Sequence, residues 1–386
     1  MKERGNKTLR ALDRWLGIPI LFLLGVFRRH RKLPRMVHSV GLLMLGAIGD
    51  TLLASSLIDD LRVRFPGVRI VGFISSANQG IEGIIDGVDE YVLVPVTSPH
   101  RAVRAIRTRT VDLLIDFGQW ARISAILSAL SKARFTVGLR KAGQYRHFAY
   151  DIVSPQLNDR HELENFRGLV RCIGIFPQGQ PRIRRDALLS ALSVELPKPF
   201  IVFHPWAAGY RHDLREWPPA LWLELAHTLV AVGYAIVITG GPGDRKRSEA
   251  LASLADNVDG SALHVLAGSI TLAQTVRVLA EAAAVISVNT GIMHVAAALG
   301  CPLVALHGPT NPRRWGPLSN CAVIVGPGAD KGGAYLDLGY EYPLHAKNIM
   351  ENIEVKDVLN GLANVLPTAT ALGHKLIKGI SIRSEQ

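Results

Sequence analysis

Four short glycine-rich or polar stretches, each directly after an apolar run, hold the side chains of this chain best suited to chemistry. The first is Gly46-Ala47-Ile48-Gly49-Asp50. Gly46 and Gly49 allow a tight turn and close backbone approach to a ligand. Asp50 then stands at the start of a helix. A carboxylate there either caps the helix or acts as a general base that takes the proton from an attacking hydroxyl. The second stretch is Asn289-Thr290-Gly291-Ile292-Met293-His294. A strand, small polar residues, glycine and a helix in that order make an anion site, because free N–H groups and the helix dipole favour a phosphate. His294, one turn into that helix, is within reach of the same anion. The plainer readings are a cap at Asn289 or Thr290 and a satisfied core histidine at 294.

The third stretch runs from His204-Pro205-Trp206 to Arg215-Glu216-Trp217-Pro218. Arg211 and Arg215 are its phosphate candidates, since a guanidinium fork suits such oxygens; a solvated basic loop is the alternative. The fourth is Thr239-Gly240-Gly241-Pro242-Gly243-Asp244, in which Gly240 and Gly241 either cradle a phosphate or only make a tight turn. No Asp-x-Asp pair falls at a strand end to hold a divalent metal, so no metal site is expected.

The elements that must position these residues alternate between β-branched runs and helical patterns. Strands are predicted at 40–45, 69–74, 91–94, 112–116 and 134–137, with helices at 50–65 and 120–131 between them. After a proline-rich linker a second alternation reads as strands at 200–204, 234–239, 263–266, 284–288, 302–306 and 322–325, with helices at 219–232, 272–281 and 291–299. Such alternation predicts βαβ units and parallel sheets. Two doubly wound domains facing a cleft would hold ligands beyond the carboxyl ends of their strands. The predicted organisation is a segment 1–37, an N-terminal domain 38–175, a linker 176–198, a C-terminal domain 199–366 and a tail 367–386.

The chain of 386 residues is long enough for two domains. Its 48% hydrophobic and 20% charged residues exclude a disordered chain. Three scattered cysteines exclude a disulfide framework. The net charge of +12 is unevenly spread. Residues 1–40 carry ten basic and two acidic side chains, and 101–147 again ten and two, whereas 148–386 balance at 21 each. That asymmetry points to an anionic partner for the N-terminal half. Nucleic acid is set aside, because no recognised module or aromatic platform is found. Arg101, Arg104 and Arg107, spaced i, i+3, i+6, line one side of a predicted helix as acceptor-side candidates; a merely solvated face is the alternative.

The run 16–27 (LGIPILFLLGVF) is apolar but too short for a transmembrane helix of about 20 residues. Arginines follow it where a cleavable signal would carry small residues. It reads as a segment dipping into one leaflet, with Trp15 near the headgroups and its basic flanks on lipid phosphates. A buried helix and an uncleaved signal-like segment are the alternatives.

Residues 38–366 resemble the ADP-heptose:lipopolysaccharide heptosyltransferases, glycosyltransferase family 9. The resemblance is carried by NTGIMHVAAALGCPLVALHGPTNPRRWGP at 289–317, with GAIGD at 46–50, REWP at 215–218, TGGPGD at 239–244 and LAGSITLAQ at 266–274. It implies a GT-B fold of two Rossmann-like domains, the acceptor in the first and the nucleotide-sugar in the second. It also implies inverting transfer with neither metal nor cofactor. Asp50 matches the family's proposed base, and Thr290, Gly291 and His294 match its donor-diphosphate turn. Arg215 stands where a lysine is usual, Asn289 where an aspartate is usual, Met44 for an arginine and Ser56 for a proline. The segment 332–345 replaces a cysteine-rich stretch. The reading that follows is a peripheral enzyme on the cytoplasmic face of a bacterial inner membrane. It moves a heptose or related sugar from a nucleotide-diphosphate sugar, ADP-linked by preference, to an anionic glycolipid acceptor. A non-catalytic binding homologue and a nucleotide-sugar epimerase of the same fold are the rivals; the oligomeric state is left open.

Overall fold

In the computed structural model the chain divides into two compact units, Met1–Arg182 and Ile183–Gln386. The structure describes residues 13–27, 31–254, 262–328 and 345–366, together with Ala11, Gly333, Tyr335, Leu336, Tyr342 and Pro343. The tail 367–386 and most of the segment 332–345 therefore lie outside the described residues.

The first unit holds strands β1 (Ser39–Met44), β2 (Arg69–Ile74), β3 (Glu90–Leu93), β4 (Leu113–Asp116), β5 (Phe135–Arg140) and β6 (Ile152–Pro155). They form one sheet in the order β3-β2-β1-β4-β5-β6, with every pair parallel. Helices cover both faces of such a sheet, so its central strands read as continuous apolar runs. Leu42 on β1 sits opposite Gly72 and Ile115 and is fully buried.

The second unit holds β7 (Phe200–His204), β8 (Ala235–Ile238), β9 (Leu263–Val265), β10 (Ala284–Val288), β11 (Leu303–Leu306) and β12 (Ala322–Val325). Their order, β12-β11-β10-β7-β8-β9, is the first sheet's order repeated. In each unit the winding reverses at the central pair, β1 beside β4 and β7 beside β10, which is where open parallel sheets bind ligands. The core of the second unit includes Phe203, Trp217 and Trp222, with the two tryptophan rings edge-to-face at 5.1 Å.

Three features differ from expectation. The first sheet has a sixth strand, β6, short and ending on a proline as suits an edge position. The helix expected over 50–65 is two helices, Ile48–Ser55 and Leu57–Arg64. The Ser55 and Ser56 hydroxyls donate back to the Leu52 and Leu53 carbonyls at the junction, a competition that bends helices. The apolar run forms a helix, Gly17–Val26, that is neither wholly buried nor separate. Leu21 packs in a cluster with Ala125, Ala149 and Tyr150, while Trp15, Leu23 and Phe27 are exposed.

One buried polar network shapes the loop after β4. Asp116, fully buried, accepts from Tyr150 Oη at 2.5 Å and from Arg146 Nη2 at 3.1 Å. Its other oxygen accepts the Gly118 N–H at 2.7 Å and so fixes the turn that begins the loop. Burial holds the Tyr150 hydroxyl well above its ordinary pKa, keeping it a donor. Tyr150→Phe should therefore destabilise the protein by roughly 1–3 kcal/mol. Arg146→Met, which strands a buried carboxylate, should cost about 3–5 kcal/mol. Urea unfolding followed by circular dichroism measures both, and unchanged midpoints would count against this account.

Candidate active site

The first-unit candidates gather at the carboxyl end of β1. Asp50 is the third residue of the helix Ile48–Ser55 and not its cap, since Ala47 holds the cap position. One Asp50 oxygen reaches back to accept the Ala47 N–H at 3.1 Å. The other accepts from the Gln119 amide at 3.1 Å. Gln119 belongs to the loop after β4, so this contact spans the reversal point of the sheet. A Cβ on Gly46 would stand 2.9 Å from Asp50 Oδ2, so glycine there lets the carboxylate fold back. Arg101 and Arg104 lie elsewhere, exposed on the helix Pro99–Ile106 that follows the edge strand β3.

The fourth stretch repeats this turn in the second unit. Gly240-Gly241-Pro242-Gly243-Asp244 has the same glycine and aspartate spacing as Gly46 to Asp50. Asp244 Oδ2 accepts the Gly241 N–H at 2.8 Å, and a Cβ on Gly240 would lie 2.8 Å from the Asp244 Cβ. The second Asp244 oxygen takes Arg247 Nη2 at 2.6 Å. The Gly241 N–H is thus committed to a carboxylate, which favours the tight-turn reading of this stretch.

Arg215 is held by its neighbours. Glu216 accepts the Ala207 N–H at 2.9 Å and pairs with Arg247 at 2.8 Å. Arg247 in turn lies over the Trp206 ring, 4.3 Å from its centroid. Trp217 is buried and donates to the Ile353 carbonyl at 2.9 Å. These anchors close the loop after β7 around Arg215, whose guanidinium donates to the Ala208 carbonyl. Arg211 adopts a left-handed backbone, and its guanidinium donates to the Ala346 carbonyl at 3.3 Å.

Beside this loop, β10 ends and the helix Gly291–Leu299 begins. Thr290 occupies the cap position, but its side chain makes no cap hydrogen bond; its hydroxyl lies 3.4 Å from Ser287 Oγ. The helix start therefore presents backbone donors and the positive end of its dipole at the sheet's reversal point, an arrangement suited to a phosphate. His294 is buried in the first turn. Asn289 turns inward: its amide nitrogen lies 3.1 Å from His307 Nδ1 and donates to the Trp315 carbonyl at 3.3 Å. Burial pushes His307 down to about 4, so its ring is neutral and accepts. Gln119, Arg247 and His307 carry no local signal of a role; each meets a partner distant in the chain, Asp50, Glu216 and Asn289 in turn. Among the described residues, no group of three His, Cys, Asp or Glu side chains is placed to hold a metal ion.

Residues 100–333 match the family described as glycosyltransferase family 9 (heptosyltransferase). Lipopolysaccharide heptosyltransferase 2 of Salmonella typhimurium is 33% identical over 303 residues, covering 72% of this chain and 85% of that protein. The structure of E. coli ADP-heptose lps heptosyltransferase II superposes with a TM-score of 0.67 at 22% identity, over 85% of this chain and 98% of that one. E. coli heptosyltransferase WaaC with ADP gives 0.66 at 20% identity, over 85% and 99%. At those identities the two structures show a shared fold.

Both His204 and His307 are buried and pushed down to about 4 from 6.5. The unfolded chain protonates them below pH 6.5 while the folded protein does not. Stability should therefore fall as pH drops from about 6.5 to 4, by on the order of 3 kcal/mol for each histidine. Thermal melts across that range should show the loss, and His307→Gln should remove about half of it, leaving the share of His204. An equally steep slope in that variant would mean His307 is not one of its sources.

Proposed function

The chain belongs to glycosyltransferase family 9, and from that premise we propose that it is an inverting, metal-independent heptosyltransferase using ADP-heptose and a lipopolysaccharide-type, lipid-linked acceptor. Membership makes it a glycosyltransferase, which sets aside the epimerase. In this reading unit 1 supplies the base and the acceptor side, and unit 2 holds the donor. Asp50 takes the proton from an acceptor hydroxyl. That oxygen attacks the anomeric carbon from the face opposite the diphosphate, a C–O bond forms, and the bond to the diphosphate breaks with inversion. The departing charge falls on the first-turn N–H groups after Thr290 and Gly291 and on Arg215, where preorganised donors stabilise it.

Asn289, with its amide hydrogens turned toward His307 and Trp315, offers its carbonyl oxygen to a sugar hydroxyl. His294 shapes the turn from inside. Arg101 and Arg104 take acceptor phosphates. Gly240 and Gly241 support the donor loop through Asp244 and Arg247. The enzyme works as a peripheral protein at the cytoplasmic face of the inner membrane, through residues 1–37.

The observation that carries this reading is the start of the helix Gly291–Leu299, whose cap side chain is not spent on the helix, at the reversal point of the second sheet. Asp50→Ala should leave ADP-heptose binding within about twofold and lower turnover at least about 100-fold. Arg215→Ala should weaken donor binding by about 10–100-fold. Calorimetric titration and a labelled transfer assay separate the two effects. Near-normal turnover of Asp50→Ala would remove Asp50 from the mechanism, and a preference for UDP- or GDP-sugars would overturn the donor.

A further inference from the structure

The helix Gly17–Val26 is apolar around its whole circumference, yet among the described residues only one side of it is covered. A helix of that composition is normally enclosed. Its inner stripe is Gly17, Leu21 and Gly25, spaced i, i+4, i+8. Leu21 is fully buried, and a Cβ on Gly17 or Gly25 would press against Arg122 at 3.0 Å or Phe148 at 2.8 Å. The opposite face carries Leu16, Ile20, Leu23 and Phe27, flanked by Trp15 and Val26. These six residues are 40–81% exposed.

Clamps at both ends keep that face outward. Before the helix, Asp13 accepts the Arg122 and Ile123 N–H groups at 2.7 and 3.3 Å and pairs with the Arg122 guanidinium at 3.0 Å. It thereby caps the helix Arg122–Leu130, whose own cap residue, Ala121, has no side-chain hydrogen bond to offer. After the helix, Arg31 pairs with Asp151 at 2.9 Å and donates to the Ala133 carbonyl at 2.6 Å. The segment is therefore built into unit 1 as a rigid rib.

We propose that the outward face of this rib is a docking surface for an anionic lipid bilayer, in which the helix lies flat within one leaflet. This deepens the peripheral address given above and does not depend on the sugar-transfer chemistry. Ten residues span about 15 Å, half of a bilayer's hydrocarbon core. No helix among the described residues is long and apolar enough to cross a membrane. The charge selects the occupant: residues 1–40 carry ten basic and two acidic side chains. Anionic headgroups complement that excess, whereas a second copy of the chain would oppose it with its own. Arg14, before the helix, and Lys32 and Arg35, after it, are exposed.

The test is co-sedimentation of the full-length protein with vesicles of phosphatidylglycerol in phosphatidylethanolamine, and with phosphatidylcholine vesicles. The wild type should partition onto the anionic vesicles and weaken as salt rises. Leu16→Gln/Leu23→Gln/Phe27→Gln should lower partitioning at least about 10-fold with an unchanged melting temperature, because glutamine is a good helix former and these side chains are exposed. Arg14→Glu/Lys32→Glu/Arg35→Glu should remove the preference for anionic lipid. Transfer to a soluble acceptor fragment should persist in both variants, so failed transfer would count against the reaction and leave the surface standing. Wild type left in the supernatant, or a glutamine variant that sediments equally, would overturn the proposal. So would a lipid-free dimer that the glutamine variant turns into a monomer.

Discussion

Both units depend on one topological constraint. A parallel sheet wound outward from its centre in two directions leaves adjacent strand ends with nothing crossing over them, at β1 beside β4 and at β7 beside β10. Backbone donors and loop side chains there point beyond the sheet. In the first unit that position brings Gln119 onto Asp50 across 69 residues of chain. In the second it sets the uncapped helix start at Gly291 next to the loop that holds Arg215. The rest of each sheet keeps these ends fixed: Asp116 and Arg146 from beneath the loop after β4, and Trp217 and Glu216 from inside the loop after β7.

The two Gly-x-x-Gly-Asp turns show how one local device serves two ends. In each, glycine lets an aspartate fold back onto the N–H three residues earlier, at 3.1 Å for Asp50 and 2.8 Å for Asp244. The difference lies in the second oxygen. Asp244 gives it to Arg247, a close ion pair that joins the chain Arg247–Glu216 bracing the Arg215 loop. Asp50 gives it to a neutral amide. Arg247 thereby ties Asp244 into the brace around the Arg215 loop, whereas Asp50 meets Gln119 across the reversal point of its sheet. The same motif is thus a brace in one unit and a candidate base in the other, and what surrounds it decides which.

That contrast also marks how far the sequence could be read. The parallel sheets, the positions of eleven of the twelve strands among the described residues and the turns carrying Asp50, Arg215 and Thr290 follow from local patterns: apolar runs of strand length, glycine at turns, polar residues before helices. The missed strand, Ile152–Pro155, is four residues long and ends on proline, so it lacks such a pattern. The break at Ser56 comes from hydroxyls competing for carbonyls inside a continuous helical periodicity. Gln119, Arg247 and His307 each meet a partner 69, 31 or 18 residues away. No local spacing encodes those meetings; the winding of the sheets does.

The apolar helix obeys the same logic. Its sequence shows no alternation of polar and apolar sides, so periodicity alone assigns it no buried face. Two glycines at the spacing of one helical stripe let it approach Arg122 and Phe148, and two flanking charges, Asp13 and Arg31, hold it there through the distant partners Arg122 and Asp151. Once docked, its remaining apolar surface cannot be withdrawn without breaking those clamps. Asp13 also caps the helix that follows the Gln119 loop. The apolar surface that the described residues leave exposed is therefore joined, through one capped helix and one loop, to the carboxylate at the end of β1.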